Sequence, residues 1–427
     1  MGIAVTVVAL AAIALATLRH GDPAVMEPHG HWCLVCGSQG TVDVIQNVAL
    51  YAPLGAGLAL MGVPLAVALL VAAAASMTAE LLQATVFIGR AATLSDVLTN
   101  TAGAVLAFTA TRNFRLWLAP SPRTARWLAG AWGASWIAAL VLSAWSLQPD
   151  TPPGPYPTMQ LAPESGATRA FEGVILEAYA GDIPVAPGVA PPDGPIARAL
   201  REEPLDVRGL VKPMSYAPGM YRPIVSVLTE DWRSVTSLGQ RHEHLVFSRR
   251  LNSARLRLRS PSVRLYDVFP GTYERGARRN EAIQVSAEYS RPEILLMSRS
   301  AVETRTTTVR ITPLHGWVLL LPRHLDQGMA TLGFGALWFA GWMLPLGYWS
   351  ACAVRSAGSL PRSRSGKRLA SRTTAGLAIA IALACAMAPW PLASIAALST
   401  PAPAYLVAGC AALAAGAALA ITRLASE

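Results

Sequence analysis

Charge is scarce in this chain. Only 14% of its 427 residues are Asp, Glu, Lys or Arg, against about 25% in an average soluble protein. Lysine is nearly missing, with Lys212 and Lys367 the only two. Together with 53% hydrophobic residues and a positive mean hydropathy, this excludes an ordinary soluble domain. A formal charge of +10 would ordinarily raise nucleic acid as a partner. Here the basic residues are almost all Arg, many of them in short segments between apolar runs, where they report membrane orientation. No nucleic-acid partner is expected.

Catalytic signatures are also missing. The chain contains no G-x-x-x-x-G-K-S/T, no H-E-x-x-H, no G-x-S-x-G and no dinucleotide fingerprint, and no cofactor is expected. Cysteine is sparse at five. Cys352, Cys385 and Cys410 lie in or beside apolar runs and read as packing residues. Cys33 and Cys36 sit in H-G-H-W-C-L-V-C, where a disulfide or paired thiols is the favoured reading. An uncommitted loop is the second reading. A zinc site is the third, its H-x-H-x-C-x-x-C spacing tighter than the usual structural pattern, so no metal is expected. His242 and His244 read as sharing one face of a strand, without a site of their own.

What is present is apolar sequence in span-length pieces. Candidate spans are Gly2–Leu18, Val44–Gly62, Pro64–Phe87, Leu94–Thr111, Trp127–Trp145, Met329–Ser350, Thr374–Ile395 and Ala404–Ile421. The link Met61-Gly62-Val63-Pro64 reads as a tight turn between antiparallel helices. Arg112, Arg115, Arg123 and Arg126 follow span four; Arg355 through Arg372 follow span six; Arg423 follows span eight. Eight spans put all three clusters on one side, which the positive-inside rule makes cytoplasmic. Both termini are then inside and residues 148–325 outside, in a bacterial cytoplasmic membrane. The first span lacks a charged n-region and a clear cleavage site, so it reads as a retained helix rather than a signal peptide.

The expected fold is therefore a membrane all-α bundle of about eight helices carrying an extracytoplasmic antiparallel β-sandwich. Its parts are four helices in 1–112, a fifth helix with its basic loop in 113–147, the outer block in 148–325, and three helices in 326–427. In the outer block, P-D-T-P-P-G-P-Y-P reads as an extended stalk. Beyond it, P-I-V-S-V-L, H-L-V-F-S, A-R-L-R-L-R-S, V-R-L-Y-D-V-F, A-I-Q-V-S-A-E-Y and W-V-L-L-L-P read as strands. Their spacing argues for a sandwich. Arg255, Arg257, Arg259 and Arg264 would line its solvent face, either as an anion-binding row or as a solvated guard against edge pairing.

Polar residues interrupt the first apolar stretch at helical spacing. Asp43 and Asn47 are four apart; Ser76, Glu80 and Gln83 follow i, i+4, i+7; Asp96, Asn100 and Gly103 do the same. Charges in hydrocarbon cost about 2.5–3.5 kcal/mol each on insertion scales, so polar groups kept on matching faces point to use. Together with Arg90, the orientation places these residues near the outer leaflet. Three readings compete: structural hydrogen bonding between helices, a headgroup site held by Arg90 and the amides, and an acid/base pair of Glu80 and Asp96.

These residues resemble the VanZ-like family of membrane proteins. The resemblance rests on Asp43, Asn47-x5-Pro53-x-Gly55, Ser76-x3-Glu80-x2-Gln83, Gly89-Arg90 and Asp96-x3-Asn100-x2-Gly103, and covers residues 1–112. The outer block is similar to concanavalin A-like (LamG-type) jelly-roll modules through I-V-S-V-L-T, Ser237-Leu238-Gly239-Gln240 and L-V-F-S-R-R. The first resemblance implies a cell-envelope role linked to glycopeptide antibiotic resistance, teicoplanin in particular, with no established reaction. The second implies binding of a cell-wall or polysaccharide glycan. The expected binding set is Asp43, Asn47, Ser76, Glu80, Gln83, Arg90, Asp96 and Asn100, facing a membrane lipid or lipid-linked glycan. The alternative is a membrane enzyme acting on a lipid-linked cell-wall or polysaccharide intermediate.

Overall fold

The computed structural model describes residues 1–18, 35, 37–87, 93–159, 171, 173–213, 221–269, 281–321, 324–326, 328–355 and 379–426. Cys33, Cys36 and Arg90 lie outside this set, as do residues 356–378, which follow the sixth expected span and include the start of the seventh. The chain forms two compact units, one built from residues 1–112, 148–309 and 318–326, the other from 113–147, 310–317 and 327–427.

The first unit begins with four helices, α1 (Gly2–Thr17), α2 (Gly40–Leu60), α3 (Leu65–Thr85) and α4 (Leu94–Arg112). Gly62, at φ +78°, and Pro64 make the tight α2–α3 turn, because glycine accepts positive φ and proline stops one helix and opens the next. α2 packs along α4, with α1 against α2 and α3 against α4. Glycine sets the approach. A Cβ at Gly55 would overlap the Ala104 carbonyl, and one at Gly103 the Val48 carbonyl, so two bare backbones meet across the α2–α4 line. Tyr51, Leu54, Ala72 and Ala104 fill the centre, each at most 2% exposed.

Among the described residues, four helices are long and apolar enough to cross a membrane: Leu65–Thr85, Pro122–Ser146, Met329–Val354 and Pro403–Arg423. This is fewer than the eight expected. Gly2–Thr17 is apolar but short. α2 and α4 fall outside that group because Asp43, Gln46 and Asn47 in one, and Asp96 and Asn100 in the other, dilute their apolar character. The seventh expected span is described only as helix over residues 379–387 and Pro389–Ile395.

The remainder of the first unit is a β-sandwich of twelve strands, β1 to β12 in chain order. One sheet runs β4 (Gly188–Ala190), β1 (Tyr156–Met159), β6 (Tyr221–Leu228), β7 (Ser234–Arg241), β8 (His244–Arg249), β9 (Ser262–Leu265). The other runs β12 (Thr304–Arg310), β11 (Glu293–Arg299), β10 (Ile283–Ser290), β5 (Leu205–Pro213), β2 (Gly173–Ala180), β3 (Ile183–Pro184). All the pairings between named strands are antiparallel. β5 alternates buried and half-buried along its whole length, which is the period-2 signature of one face on a core. Opposite it, Ile224, Val225 and Val227 of β6 are fully buried.

Three expected features take another form. A-R-L-R-L-R-S is not a strand: Asn252–Leu256 is a 3-10 helix that ends with Arg257 in the left-handed region at φ +53°. Asp150 causes this, because it takes Arg250 at 2.9 Å and Arg255 at 2.7 Å and so curls the segment around itself. W-V-L-L-L-P likewise contributes to a 3-10 helix, Pro313–Leu319. His242 falls in the β7–β8 turn at φ +56°, so His242 and His244 do not share a strand face. The start of the expected stalk is tied down, with Asp150 N–H donating to Arg250 O and Asn252 N–H to Gln148 O.

The second unit contains α5 (Phe114–Leu118), α6 (Pro122–Ser146), α7 (Met329–Arg355) and the C-terminal helix Pro403–Ser426. Ser121 caps α6 by accepting from Thr124 N–H at 3.2 Å, with Pro122 at the first helical position. Indoles knit α6 to its neighbours. Trp132 Nε1 donates to Trp342 O at 2.8 Å, and Trp136 Nε1 to Cys385 O at 2.9 Å. The Trp132 and Trp342 rings lie 4.9 Å apart. Each indole buries a large apolar area while its one polar atom is satisfied.

Candidate functional site

The polar faces of α2, α3 and α4 converge. Asn47 Nδ2 donates to Asp96 Oδ1 at 2.6 Å and reaches Thr99 Oγ1 at 3.4 Å. Asn100 Nδ2 donates to Ser76 Oγ at 2.9 Å. Glu80 Oε2 accepts the Thr93 N–H at 2.9 Å, and Gln83 Nε2 donates to Thr17 O at 3.1 Å, at the end of α1. Ser76, Glu80, Gln83 and Asn100 are buried, Asn47 and Asp96 half-buried, Asp43 exposed. The set therefore runs from an open end at Asp43 inward to Glu80 and Asn100.

A rearranged cap explains how two carboxylates fit here. Thr93-x-x-Asp96 has the pattern of a capping box, and Thr93 Oγ1 does accept from Asp96 N–H at 3.2 Å. In the usual box the third residue would return the bond to the cap's own N–H. Here Glu80 of α3 takes that N–H instead, which leaves the Asp96 carboxylate to Asn47. One substitution of partner ties three helices together.

At the bottom of the set two polar atoms are left over. The Tyr51 hydroxyl and Asn100 Oδ1 are buried without a hydrogen-bond partner of ordinary geometry among the described residues, the hydroxyl interacting with Ser76. Tyr51 lies among Ser76, Glu80 and Asp96 and is fully buried. A buried hydroxyl or amide oxygen without a partner costs about 1–3 kcal/mol, so two of them on residues that both reach Ser76 mark a place where another polar group is accommodated. Tyr51 escaped the sequence reading although it falls four residues after Asn47, on the face that carries Asp43. Thr93 escaped it because capping links a residue to its local backbone rather than to a helix face.

A cation reaches the open end from the sandwich. Arg259 lies close enough to Asp43 for attraction to offset, in part, the lowering of its pKa by burial. Gln46 Nε2 donates to Leu320 O at 2.6 Å, and Arg257 Nη1 to Val35 O at 2.5 Å. The expected arginine row is thereby dispersed: Arg255 goes to Asp150, Arg257 to a backbone carbonyl, Arg259 toward α2. Among the described residues, no group of three or more His, Cys, Asp or Glu is arranged to hold a metal ion.

Neither the curated proteins nor the solved structures returned a match to the chain. A protein-family model does match, over residues 10–115, and its description is VanZ/LLP1. Every residue of the α2–α3–α4 set lies within that stretch, so the polar site falls in a domain similar to VanZ/LLP1, and four helices among the described residues are of membrane length.

Proposed function

We propose that the VanZ-like domain holds the polar headgroup of a membrane lipid or lipid-linked glycan between α2, α3 and α4. The observation that carries this reading is the pair of unpartnered buried atoms, Tyr51 Oη and Asn100 Oδ1, below a half-buried Asn47–Asp96 bond. A headgroup bearing hydroxyls or a phosphate supplies both a donor for the amide oxygen and an acceptor for the phenol. Asp43 and Arg259 at the open end offer one charge of each sign to a zwitterionic or glycosylated group. The positive-inside reading of the basic loops turns this end toward the outer leaflet of a bacterial cytoplasmic membrane, where such headgroups meet an envelope pathway and glycopeptide antibiotics act.

Binding is favoured over catalysis because both carboxylates already serve as acceptors. Glu80 Oε2 is committed to the Thr93 N–H and Asp96 Oδ1 to Asn47. For the outer block, the two six-stranded antiparallel sheets support a jelly-roll module of the concanavalin A-like kind.

The test is lipid extraction and native mass spectrometry of the full-length protein, wild type against Tyr51→Phe. We expect a polar-headgroup lipid to copurify with wild type and to fall at least tenfold with Y51F at unchanged membrane abundance. The same variant should lose any teicoplanin tolerance the protein confers. Equal lipid recovery from both proteins would remove the basis for the proposal.

A further inference from the structure

We infer a second binding site, for an acidic glycan, on the β8–β9 edge of the sandwich. It stands independently of the α2–α3–α4 site. Ser262 Oγ and His324 Nδ1 are 2.6 Å apart. The segment bearing His324 extends the sheet beyond β9 through a parallel Val263–Leu325 bridge, with Leu325 N–H donating to Ser262 O at 2.8 Å. Ser262 and Arg264 share one face of β9, and Tyr266, just past its end, sets its ring 4.9 Å from that of His244. Val246 of β8 pairs with Arg264, so His244, two residues earlier on β8, lies on that same face.

The groups on this face are set up as donors. Both histidines have their Nδ1 engaged, His324 with Ser262 and His244 as acceptor of the Asp267 N–H at 3.1 Å. Burial pushes His324 down to about 4, helped by Arg264 and Arg241, so the ring is neutral at physiological pH. Ser262 and Nδ1 share one proton between them; in the tautomer where Ser262 donates it, the ring proton sits on Nε2 and can be given to a ligand. Burial likewise lowers the His244 pKa, and the Asp267 N–H on its Nδ1 leaves Nε2 as the nitrogen that can donate.

Two arginines stand beside these rings without an ion pair among the described residues. Arg264 lies over the Tyr266 ring, 5.6 Å from its centroid, and its Nε is buried with no hydrogen-bond partner there. Arg241, exposed at the end of β7 and paired with His244, also acts on His324. The one carboxylate acting on His324, Asp326, accepts from the Tyr266 hydroxyl at 3.1 Å. Two guanidiniums, two neutral imidazoles and a half-exposed phenol ring make a face for an oxyanion with hydroxyls around it. That is the chemistry of a uronate or phosphorylated sugar; a bare anion would use only part of it. The sequence row of arginines pointed here, but only Arg264 of the four faces this site, where it also interacts with Tyr266 and Asp326.

The experiment uses the full chain in detergent, titrated with trigalacturonate, neutral maltotriose and inorganic phosphate. Trigalacturonate should bind at least tenfold more tightly than either of the others and weaken with added salt. Arg264→Gln and Arg241→Gln should each weaken it at least fivefold, and Arg264→Lys less. Arg299→Gln, on the other sheet, should change nothing. Arg241 is exposed, so its variant stays informative even where Arg264→Gln lowers stability. Absence of trigalacturonate binding, or equal loss with R299Q, overturns the site. Phosphate binding as tight as trigalacturonate overturns the glycan.

Discussion

Asn47 of α2 donates to Asp96 of α4 at 2.6 Å because Glu80 of α3 has taken over the cap bond that Asp96 would otherwise make. The relationship predicts an order of variants. Glu80→Ala leaves the Thr93 N–H buried without its acceptor and should cost about 1–3 kcal/mol. Glu80→Gln keeps an acceptor oxygen and should retain most of the stability. Combining Glu80→Ala with Asn47→Ala should cost less than the two separately, since Asp96 is then free to turn back to Thr93. Thermal melts of the four proteins in one detergent measure this. Strict additivity would show that the three side chains do not share one network.

The second prediction concerns backbones. Gly55 and Gly103 each face a carbonyl that a Cβ would overlap, so Gly55→Ala or Gly103→Ala must push α2 and α4 apart. Each should cost about 1–3 kcal/mol, and the pair less than the sum, because the first separation makes room for the second. Gly130 in α6 meets open space; Gly130→Ala should raise stability by about 0.5–1 kcal/mol through helix propensity. Opposite signs at equal chemistry in melting temperature would confirm that the contact, rather than glycine itself, sets the outcome.

How much of this was legible in advance depends on the distance over which each residue finds its partner. The three polar helix faces follow from a 3.6-residue period, and burial of Ser76, Glu80, Gln83 and Asn100 follows from their place inside apolar sequence. The alternation of β10, in A-I-Q-V-S-A-E-Y, was equally open to reading. What could not be read is who answers whom: Glu80 with Thr93, or Ser262 with His324 across 62 positions. A-R-L-R-L-R-S misled because a period of two is only a preference. Asp150, far away in sequence, offered Arg250 and Arg255 a buried carboxylate, and that outweighed it.

That carboxylate supports the third prediction. Asp150 is 3% exposed. Burial alone would raise its pKa, yet hydrogen bonds from Arg255 and Arg250 hold it below the usual carboxylate value. Removing one partner of a buried pair strands the other, at a cost of about 3 kcal/mol. Asp150→Ala should therefore destabilise the sandwich far more than Arg255→Ala, whose side chain is 59% exposed. Because Arg255 then loses its anchor, the 252–256 turn should become cleavable by trypsin in Asp150→Ala and stay protected in wild type. A turn equally resistant in both would mean that its shape comes from elsewhere.

The last prediction is a pH dependence. His315 is 5% exposed, accepts the Thr312 N–H on Nδ1 at 3.2 Å, and is pushed down to about 4 by burial. The folded state therefore resists protonation while the unfolded chain, near the ordinary value of about 6.5, accepts it. As pH falls below 6.5 the unfolded state binds the proton first, so this contribution is fully present above 6.5 and drains away toward 4. One such group is worth roughly 3 kcal/mol over that window. His324, with its pKa also lowered to about 4, shifts stability in the same direction. The informative comparison is thus wild type against His315→Asn, which keeps an acceptor for Thr312 and cannot titrate. Melting temperature measured from pH 7.5 to 4.5 should fall more steeply in wild type than in H315N. Parallel curves would mean that His315 is already charged, or already exposed, in the folded protein.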